Sequence, residues 1–319
     1  MRKIFFVGDM RSPFIRSDVD LLKETNEVPF VFDLGEHAHS FKQIPSYGIS
    51  CLKEFWNIKS ADVVWIWFAD LPALPIILIA KVLNKPVVMN LGGWEVSAYK
   101  EINYGNQLKT IRGAITRWIL RNSSHVITQS EAYKKIVMRV EPHTKNVSVV
   151  PPWVNSNLYE SNLPIKSGVI TAICSLSRDG VLKGIPTFNE STRGIVDAKV
   201  IVNIPHDDLI IELKKAKVFC LLSLTENFPN VVMESLACGC FPIVTDRDGL
   251  LEVTGDVGFK VPYGDAISTR NAIVRALSLN VSTEEIRNQA RKFSRNRKKK
   301  SVEEILTKQA GSPPAKAGG

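Results

Sequence analysis

Apolar residues along the chain fall into short runs, each closed by glycine, proline or a polar cluster. Ile4–Val7, Val28–Asp33, Val63–Phe68, Val87–Asn90, His125–Ser130 and Val147–Val150 read as buried strands. Val63–Phe68 (VVWIWF) is densest in the β-branched and aromatic residues that favour strands. Between these runs, Asp18–Lys23, Cys51–Ile58, Leu74–Leu83 and Gln107–Arg121 carry helical patterns. Pro151-Pro152-Trp153 then interrupts the alternation, since proline continues neither a helix nor a central strand. A second series follows, with strands over Val169–Leu176, Val200–Ile204, Val218–Leu222 and Phe241–Thr245. Leu209–Ala216 and Ala266–Leu277 are its helices, and Glu284–Phe293 and Val302–Gln309 carry weaker helical patterns. Strands alternating with helices imply an α/β fold in which each series forms a doubly wound parallel sheet.

This pattern divides the 319 residues into an N-terminal Rossmann-like domain over 1–153, a linker over 154–166 and a C-terminal Rossmann-like domain over 167–290. A basic helical segment over 291–310 and a low-complexity tail over 311–319, expected to be disordered, complete the chain. Met1–Gly8 is a first strand and too short for a signal peptide. The most apolar stretch, Ala61–Trp94, is broken by Asp70, Pro72, Pro75, Lys81, Lys85 and Pro86, so it does not provide the ~20 clean residues of a spanning helix. A cytoplasmic location follows, with peripheral attachment to the inner membrane face as an added expectation.

Composition adds little on fold and more on partners. The 45% hydrophobic and 23% charged content is ordinary for a globular protein and excludes a disordered chain. The net charge of +9 favours anionic partners, among them nucleotide phosphates, anionic lipid and nucleic acid. The strongest basic block, Arg291–Lys300, comes without an RNA-binding motif or aromatic–basic strand pattern, so no nucleic-acid partner is expected. Gln107–Arg121 is a basic amphipathic pattern that Lys134, Lys135 and Arg139 extend, which suits an anionic membrane surface as well as a solvated face. The five cysteines are odd in number and follow no secretory signal, arguing for a reducing compartment. Cys238-Gly-Cys240 has no second Cys/His pair at matching spacing, so no metal site is expected there.

The candidate chemistry concentrates in Lys217–Asp265. Glu226 and Glu234 sit eight positions apart across the junction between the loop after one strand and the helix that follows. Pro229 suits the first turn of that helix and Gly239 the residue just past its end. In such a strand–helix–strand unit the helix opens at the carboxyl edge of the sheet, where α/β proteins bind ligands. Backbone N–H groups at Phe228–Val231 then face an anion. Arg178 and Lys183 lie on a glycine-containing loop after the first strand of the same C-terminal domain, a natural place for cations that hold a diphosphate. In the N-terminal half, Gly92 and Gly93 follow a strand and allow either a close backbone approach or a tight turn.

Glu226-x7-Glu234 within TENFPNVVMESLACGCFPIV, together with Arg178-x4-Lys183-Gly184 and PVVMNLGGWE over Pro86–Glu95, resembles the family 4 retaining glycosyltransferases. The resemblance implies the GT-B fold, two Rossmann-like doubly wound domains facing across a cleft. It implies a retaining glycosyltransferase that moves a sugar from a nucleotide-diphosphate sugar to a glycan or lipid-linked acceptor. The donor is then a co-substrate, with no further cofactor and no metal. By position, Glu226, Arg178 and Lys183 would form the catalytic set, with the two cations neutralising the leaving diphosphate. Glu234 would hold the ribose, Glu226 the sugar hydroxyls, and the Asn227, Phe228, Pro229 and Asn230 amides the sugar and phosphates. Gly92 and Gly93 would face the donor, and Glu95 would stand on the acceptor side. The sequence departs from the family at Gly92, where many members carry histidine, and after the first strand, where Gly8-Asp9-Met10-Arg11-Ser12 lacks the family's glycine-rich turn. The Asp246-Arg247-Asp248 and Asp18-Val19-Asp20 strings match the Asp-x-Asp metal motif of another glycosyltransferase fold only by coincidence. The alternative to an enzyme is a degenerate glycosyltransferase-like binding or scaffold protein without catalytic activity.

Overall fold

The computed structural model describes residues 1–34, 44–155, 167–174 and 180–310. The chain forms two compact α/β units. The first comprises Met1–Thr128, Tyr133–Val150 and Lys299–Gly319; the second comprises Gln129–Ala132 and Pro151–Lys298.

In the first unit, β1 (Lys3–Gly8), β2 (Glu27–Asp33), β3 (Val63–Trp67), β4 (Val87–Asn90), β5 (His125–Thr128) and β6 (Val147–Val149) form one sheet in the order β2-β1-β3-β4-β5-β6. All neighbouring pairs are parallel. A parallel sheet is covered on both faces, and its strands read as continuous apolar runs rather than alternating ones. Phe5, Val7, Val64, Ile66 and Met89 enter one core, while Ile4, Phe6, Val63, Trp65 and Val88 enter the other. The first core is roofed by α2 (Ile44–Lys53), α3 (Phe55–Ser60), α4 (Leu74–Val82), α5 (Thr110–Asn122) and α6 (Glu131–Val140). The second is closed by α1 (Pro13–Lys23) and by Val302, Ile305 and Leu306 of the C-terminal helix. Glu303 ties that helix down, accepting from Asn26 Nδ2 at 2.8 Å and pairing with Arg2 at 3.1 Å.

In the second unit, β7 (Ser167–Ile173), β8 (Ala198–Val202), β9 (Ala216–Leu221), β10 (Phe241–Thr245) and β11 (Phe259–Val261) run parallel in the order β11-β10-β9-β7-β8. Their helices are α7 (Ile185–Ser191), α8 (His206–Lys215), α9 (Asn230–Ala237), α10 (Asp248–Thr254), α11 (Ala266–Ser278) and α12 (Thr283–Arg291). One apolar cluster built on Val218–Leu222, Val232, Leu236, Ile243 and Ile273 forms the core. The last helix, α13 (Arg295–Ala310), begins in this unit and ends in the first.

The structure departs from the sequence expectations in definite places. Cys51–Ile58 is not one helix: α2 and α3 meet at Glu54. Helices α6, α7 and α10 and strand β11 were not expected. Helix α13 starts at Arg295 rather than Val302, so the basic block Arg291–Lys300 is largely helical. Its charges are partly engaged within the protein: Arg291 pairs with Glu284, Lys299 pairs with Glu24 at 2.8 Å, and Arg295 lies 4.6 Å over the Trp153 ring. All five cysteines are free thiols.

Candidate active site

In the second unit the strand order reverses at β7, which has β8 on one side and β9 on the other. Ligands of open α/β sheets bind at the carboxyl ends of strands beside such a reversal. The loop after β7 supplies Lys183 there, and the loop after β9 supplies Ser223–Pro229. These loops touch: Leu224 N–H donates to Leu182 O at 2.8 Å, and a Cβ on Gly184 would stand 2.1 Å from Leu222 O. Gly184 has φ +70°, so glycine answers both the backbone conformation and the close approach.

Lys183 Nζ donates to Glu226 Oε1 in a short charge-assisted contact. Ser223 Oγ donates to the same oxygen at 2.7 Å. Both bonds fall on Oε1, and none among the described residues falls on Oε2. The pair sits in a partly shielded place, with 25% of the Lys183 side chain and 12% of the Glu226 side chain exposed.

The loop is braced from the next strand. Thr225 Oγ1 donates to Asp248 Oδ2 at 2.7 Å, and Thr245 Oγ1 donates to Ser223 O at 2.5 Å. Gly249 N–H donates to Glu226 O at 3.0 Å, and a Cβ on Gly249 would lie only 1.7 Å from Asn227 O. Asp248, at the end of the Asp246-Arg247-Asp248 string, is thus a loop support with left-handed φ of +44°. Asn227, Phe228 and Pro229 are buried side chains. The Asn227 amide oxygen accepts from Gln129 N–H at 3.3 Å and Ser130 Oγ at 3.2 Å, and Phe228 packs edge-on against Phe293 at 5.0 Å. Any contact these residues make with a ligand therefore runs through their backbone.

Pro229 caps α9 rather than opening its first turn, and Gly239 follows its end at φ +76°. The first-turn N–H groups at Asn230 and Val231 have no acceptor within the helix, as at any helix start. Glu234 lies one turn on. Its Oε1 accepts from His206 Nε2 at 3.0 Å, and 16% of its side chain is exposed. This hydrogen bond raises the His206 pKa above its ordinary value; burial opposes the shift, and the charges of Glu234 and Asp207 add to it. The structure thus brings Lys183, Glu226 and the start of α9 together, with Glu234 on the same short helix. Arg178 lies outside the described residues.

In the first unit, Gly92 and Gly93 follow β4, and their N–H groups donate to Glu95 Oε1 and Oε2 at 3.0 and 2.7 Å. Glu95 is fully buried. Burial pushes its carboxyl above the usual range, against the N–H bonds that favour the charged form. Glu95 accordingly shapes its own loop from within. The close approach at Gly92 is made by the protein itself: a Cβ there would meet the Phe68 ring at 2.6 Å. Phe68, at the end of β3, holds a left-handed φ of +75°, a costly conformation for a bulky residue. Among the described residues no group of three or more His, Cys, Asp or Glu side chains is placed to hold a metal ion.

Sequence reasoning did not find His206, Ser223, Thr225, Asp248 or Gly249. Ser223, Thr225 and Gly249 carried a weak signal, as small residues in loops directly after strands. His206 carried none, because only the tertiary fold brings it to Glu234.

Residues 191–297 match the family described as glycosyl transferases group 1. No curated protein matches the chain. Among solved structures, sucrose-phosphate synthase from Thermosynechococcus elongatus superposes with a TM-score of 0.76 at 14% identity, over 97% of this chain and 99% of that one. The Anabaena protein HepE, in complex with UDP and glucose, gives 0.73 at 13% identity over 97% and 100%. A glycosyltransferase from Rickettsia africae gives 0.71 at 15% identity over 98% and 99%. At these identities the likeness defines the fold: two Rossmann-like α/β units of the GT-B type.

Proposed function

We propose that the protein is a glycosyltransferase that takes a sugar from a nucleotide-diphosphate sugar and transfers it, with retention, to a glycan or lipid-linked acceptor. The observation that carries this reading is the meeting of Lys183 and Glu226 at the carboxyl ends of β7 and β9, beside the start of α9. The match of residues 191–297 to the group 1 glycosyl transferases supports it. So do the complexes of the similarly folded HepE with UDP and with UDP-glucose.

In this reading the second unit holds the donor and the first the acceptor. Negative charge grows on the departing diphosphate in the transition state, and cations and helix N–H groups already in place stabilise it most. Lys183, Arg178 and the amides of Asn227–Asn230 fill that role, while Gly92 and Gly93 shape the donor-facing loop that Glu95 braces. Glu226 Oε2 accepts from donor-sugar hydroxyls, and its bond to Lys183 keeps the ammonium oriented before the donor arrives. Glu234 accepts from the ribose hydroxyls, with His206 holding the carboxylate. The acceptor attacks from the face the diphosphate leaves, so no protein nucleophile is needed. A hexosyl donor, a reaction without metal and a cytoplasmic, membrane-peripheral site of action complete the proposal.

The test incubates the purified protein with UDP-, GDP- and ADP-sugars and follows nucleotide release and sugar transfer. Release with one donor, lost in Glu226→Ala and Lys183→Ala, supports the reading. Binding of a donor with no turnover toward any acceptor would instead favour the degenerate binding protein. No binding at all sinks both.

A further inference from the structure

The helices of the first unit form two unlike layers. Helices α1 and α13, on one face of the sheet, expose only Phe14 among the large apolar side chains, at 36%. On the other face, α2, α3 and α4 expose Ile49, Leu52, Trp56, Leu78 and Val82, at 58, 64, 69, 46 and 76%. Ile49 and Leu52 stand three residues apart on α2, and Leu78 and Val82 four apart on α4, so each pair lines one side of its helix, and Trp56 stands on α3. Helices α2 and α3 both pack against α4, so the exposed residues stand on three adjoining helices. Scattered exposed leucines are normal, but an apolar group on three adjoining helices marks a contact surface.

The polar residues of this surface decide what it contacts. Helices α2–α4 expose Lys53, Lys59 and Lys81 and no acidic side chain; Glu54, between α2 and α3, is half-buried. Lys59 Nζ lies 4.8 Å over the exposed Trp56 ring, and Lys81 Nζ lies 5.5 Å over Trp118. The same layer continues through α5 and α6 with exposed Arg121, Lys135 and Arg139 against one exposed acid, Glu131. A partner protein would meet this uniform charge only with a matching acidic face, and a second copy presents the same lysines to themselves. A bilayer with anionic headgroups satisfies both components, because aliphatic and indole groups enter the acyl boundary while lysines reach the headgroups.

We infer that the α2–α4 face of the first unit is a docking surface for an anionic membrane, with Leu52, Trp56 and Val82 entering the interface and Lys53, Lys59 and Lys81 contacting headgroups. The surface lies on helices that the basic stretch Lys109–Arg139 did not indicate. It extends the proposed function only in naming the membrane contact, and it needs no nucleotide sugar. Failure of the assay below and failure of the donor-site reading are therefore separate results.

The full chain is sedimented with vesicles of phosphatidylcholine alone and of phosphatidylcholine with phosphatidylglycerol. The wild type partitions onto the anionic vesicles. At roughly fivefold per lysine, the Lys53→Gln/Lys59→Gln/Lys81→Gln variant loses about 10²-fold in partitioning. A charge-matched variant of the opposite layer, Lys23→Gln/Lys300→Gln/Lys308→Gln, loses far less. Leu52→Ser/Trp56→Ser weakens binding with an unchanged unfolding midpoint, since both side chains are exposed. Equal binding to both vesicle types overturns the inference, as does an equal loss in the two lysine variants. A wild-type dimer that Leu52→Ser/Trp56→Ser converts to monomer overturns it in favour of a second copy as occupant.

Discussion

Gly249→Ala isolates the support of the candidate donor loop from every direct ligand contact. Gly249 is the second residue of α10 and keeps a φ outside the left-handed range. Alanine is the better helix former there by about 1 kcal/mol, so local propensity alone predicts a more stable protein. The added Cβ, however, would stand 1.7 Å from Asn227 O, 2.6 Å from Asn227 C and 3.1 Å from Glu226 O. Real Cβ contacts essentially never fall under 3.0 Å, so about 1.3 Å of separation (3.0 − 1.7) must be found. The obstructing atoms are backbone, and the adjoining peptide, through Glu226 O, accepts the Gly249 N–H bond at 3.0 Å. The movement therefore falls on Glu226-Asn227 or on the start of α10. Overpacking of this kind costs about 1–3 kcal/mol. A displacement near 1 Å at a site of positioned groups costs on the order of 10²-fold in turnover. Urea unfolding and nucleotide release are measured beside Gly194→Ala, whose Cβ meets nothing within 4 Å. That control carries only the strain of alanine at positive φ, about 1 kcal/mol, and keeps wild-type donor handling. A Gly249→Ala protein as stable as wild type, with unchanged donor affinity and turnover, refutes the loop-support argument.

Three further outcomes follow from other groups. Glu95→Gln leaves one amide oxygen and one NH2 group where two carboxylate oxygens accept from Gly92 and Gly93; a loss of about 1–3 kcal/mol in urea unfolding is expected, and an unchanged midpoint would show that the loop is held otherwise. His125 is 4% exposed, and burial, aided by the charge of Lys308, pushes its pKa down to about 4. Gln309 Nε2 donates to its Nδ1 at 3.4 Å, so its Nε2–H donates to Ser148 Oγ at 2.9 Å and the ring is neutral. The unfolded chain then binds the proton first, so stability falls as pH drops from about 6.5 toward about 4, at up to about 1.4 kcal/mol per pH unit; His125→Gln should flatten that slope, and an identical acid profile would exclude His125 as its source. His206 works in the opposite sense: its pKa is raised by Glu234, so its contribution is complete below its unfolded pKa and is lost as pH rises through the folded value. His206→Gln removes that alkaline-side loss, and its persistence would mean that the pair does not titrate as described.

Much of the fold was legible because parallel strands buried on both faces form unbroken apolar runs, as in VVWIWF over Val63–Phe68 and KVFCLL before the candidate site. Strand β11 was not, since Phe259-Lys260-Val261 is short and carries a lysine at its centre. Helix α6 was read only for its cations, although Tyr133 and Val137 are its buried side. Helix α13 was hidden because its first turns are basic and its apolar contacts begin only at Val302. In the candidate site, Glu226 and Glu234 stood out through a local spacing, and Lys183 through its glycine-rich loop. The Lys183–Glu226 contact joins residues 43 positions apart and the His206–Glu234 contact residues 28 apart; no local pattern encodes either. Glu95 was readable as a carboxylate after two glycines, but its direction, inward onto their N–H groups, depends on the packing of the whole loop.

The central claim is a nucleotide-diphosphate sugar site at the carboxyl ends of β7 and β9. Its most direct test is the unfolding temperature of the full chain across a panel of nucleotide sugars. A ligand at 100 times its dissociation constant stabilises by about 2.7 kcal/mol, which for a unit of this size raises the midpoint by roughly 5–11 °C. One donor is expected to give that rise in the wild type, with most of it lost in Lys183→Ala and in Glu234→Ala. No shift with any nucleotide sugar, or a shift that both variants retain in full, would contradict the account.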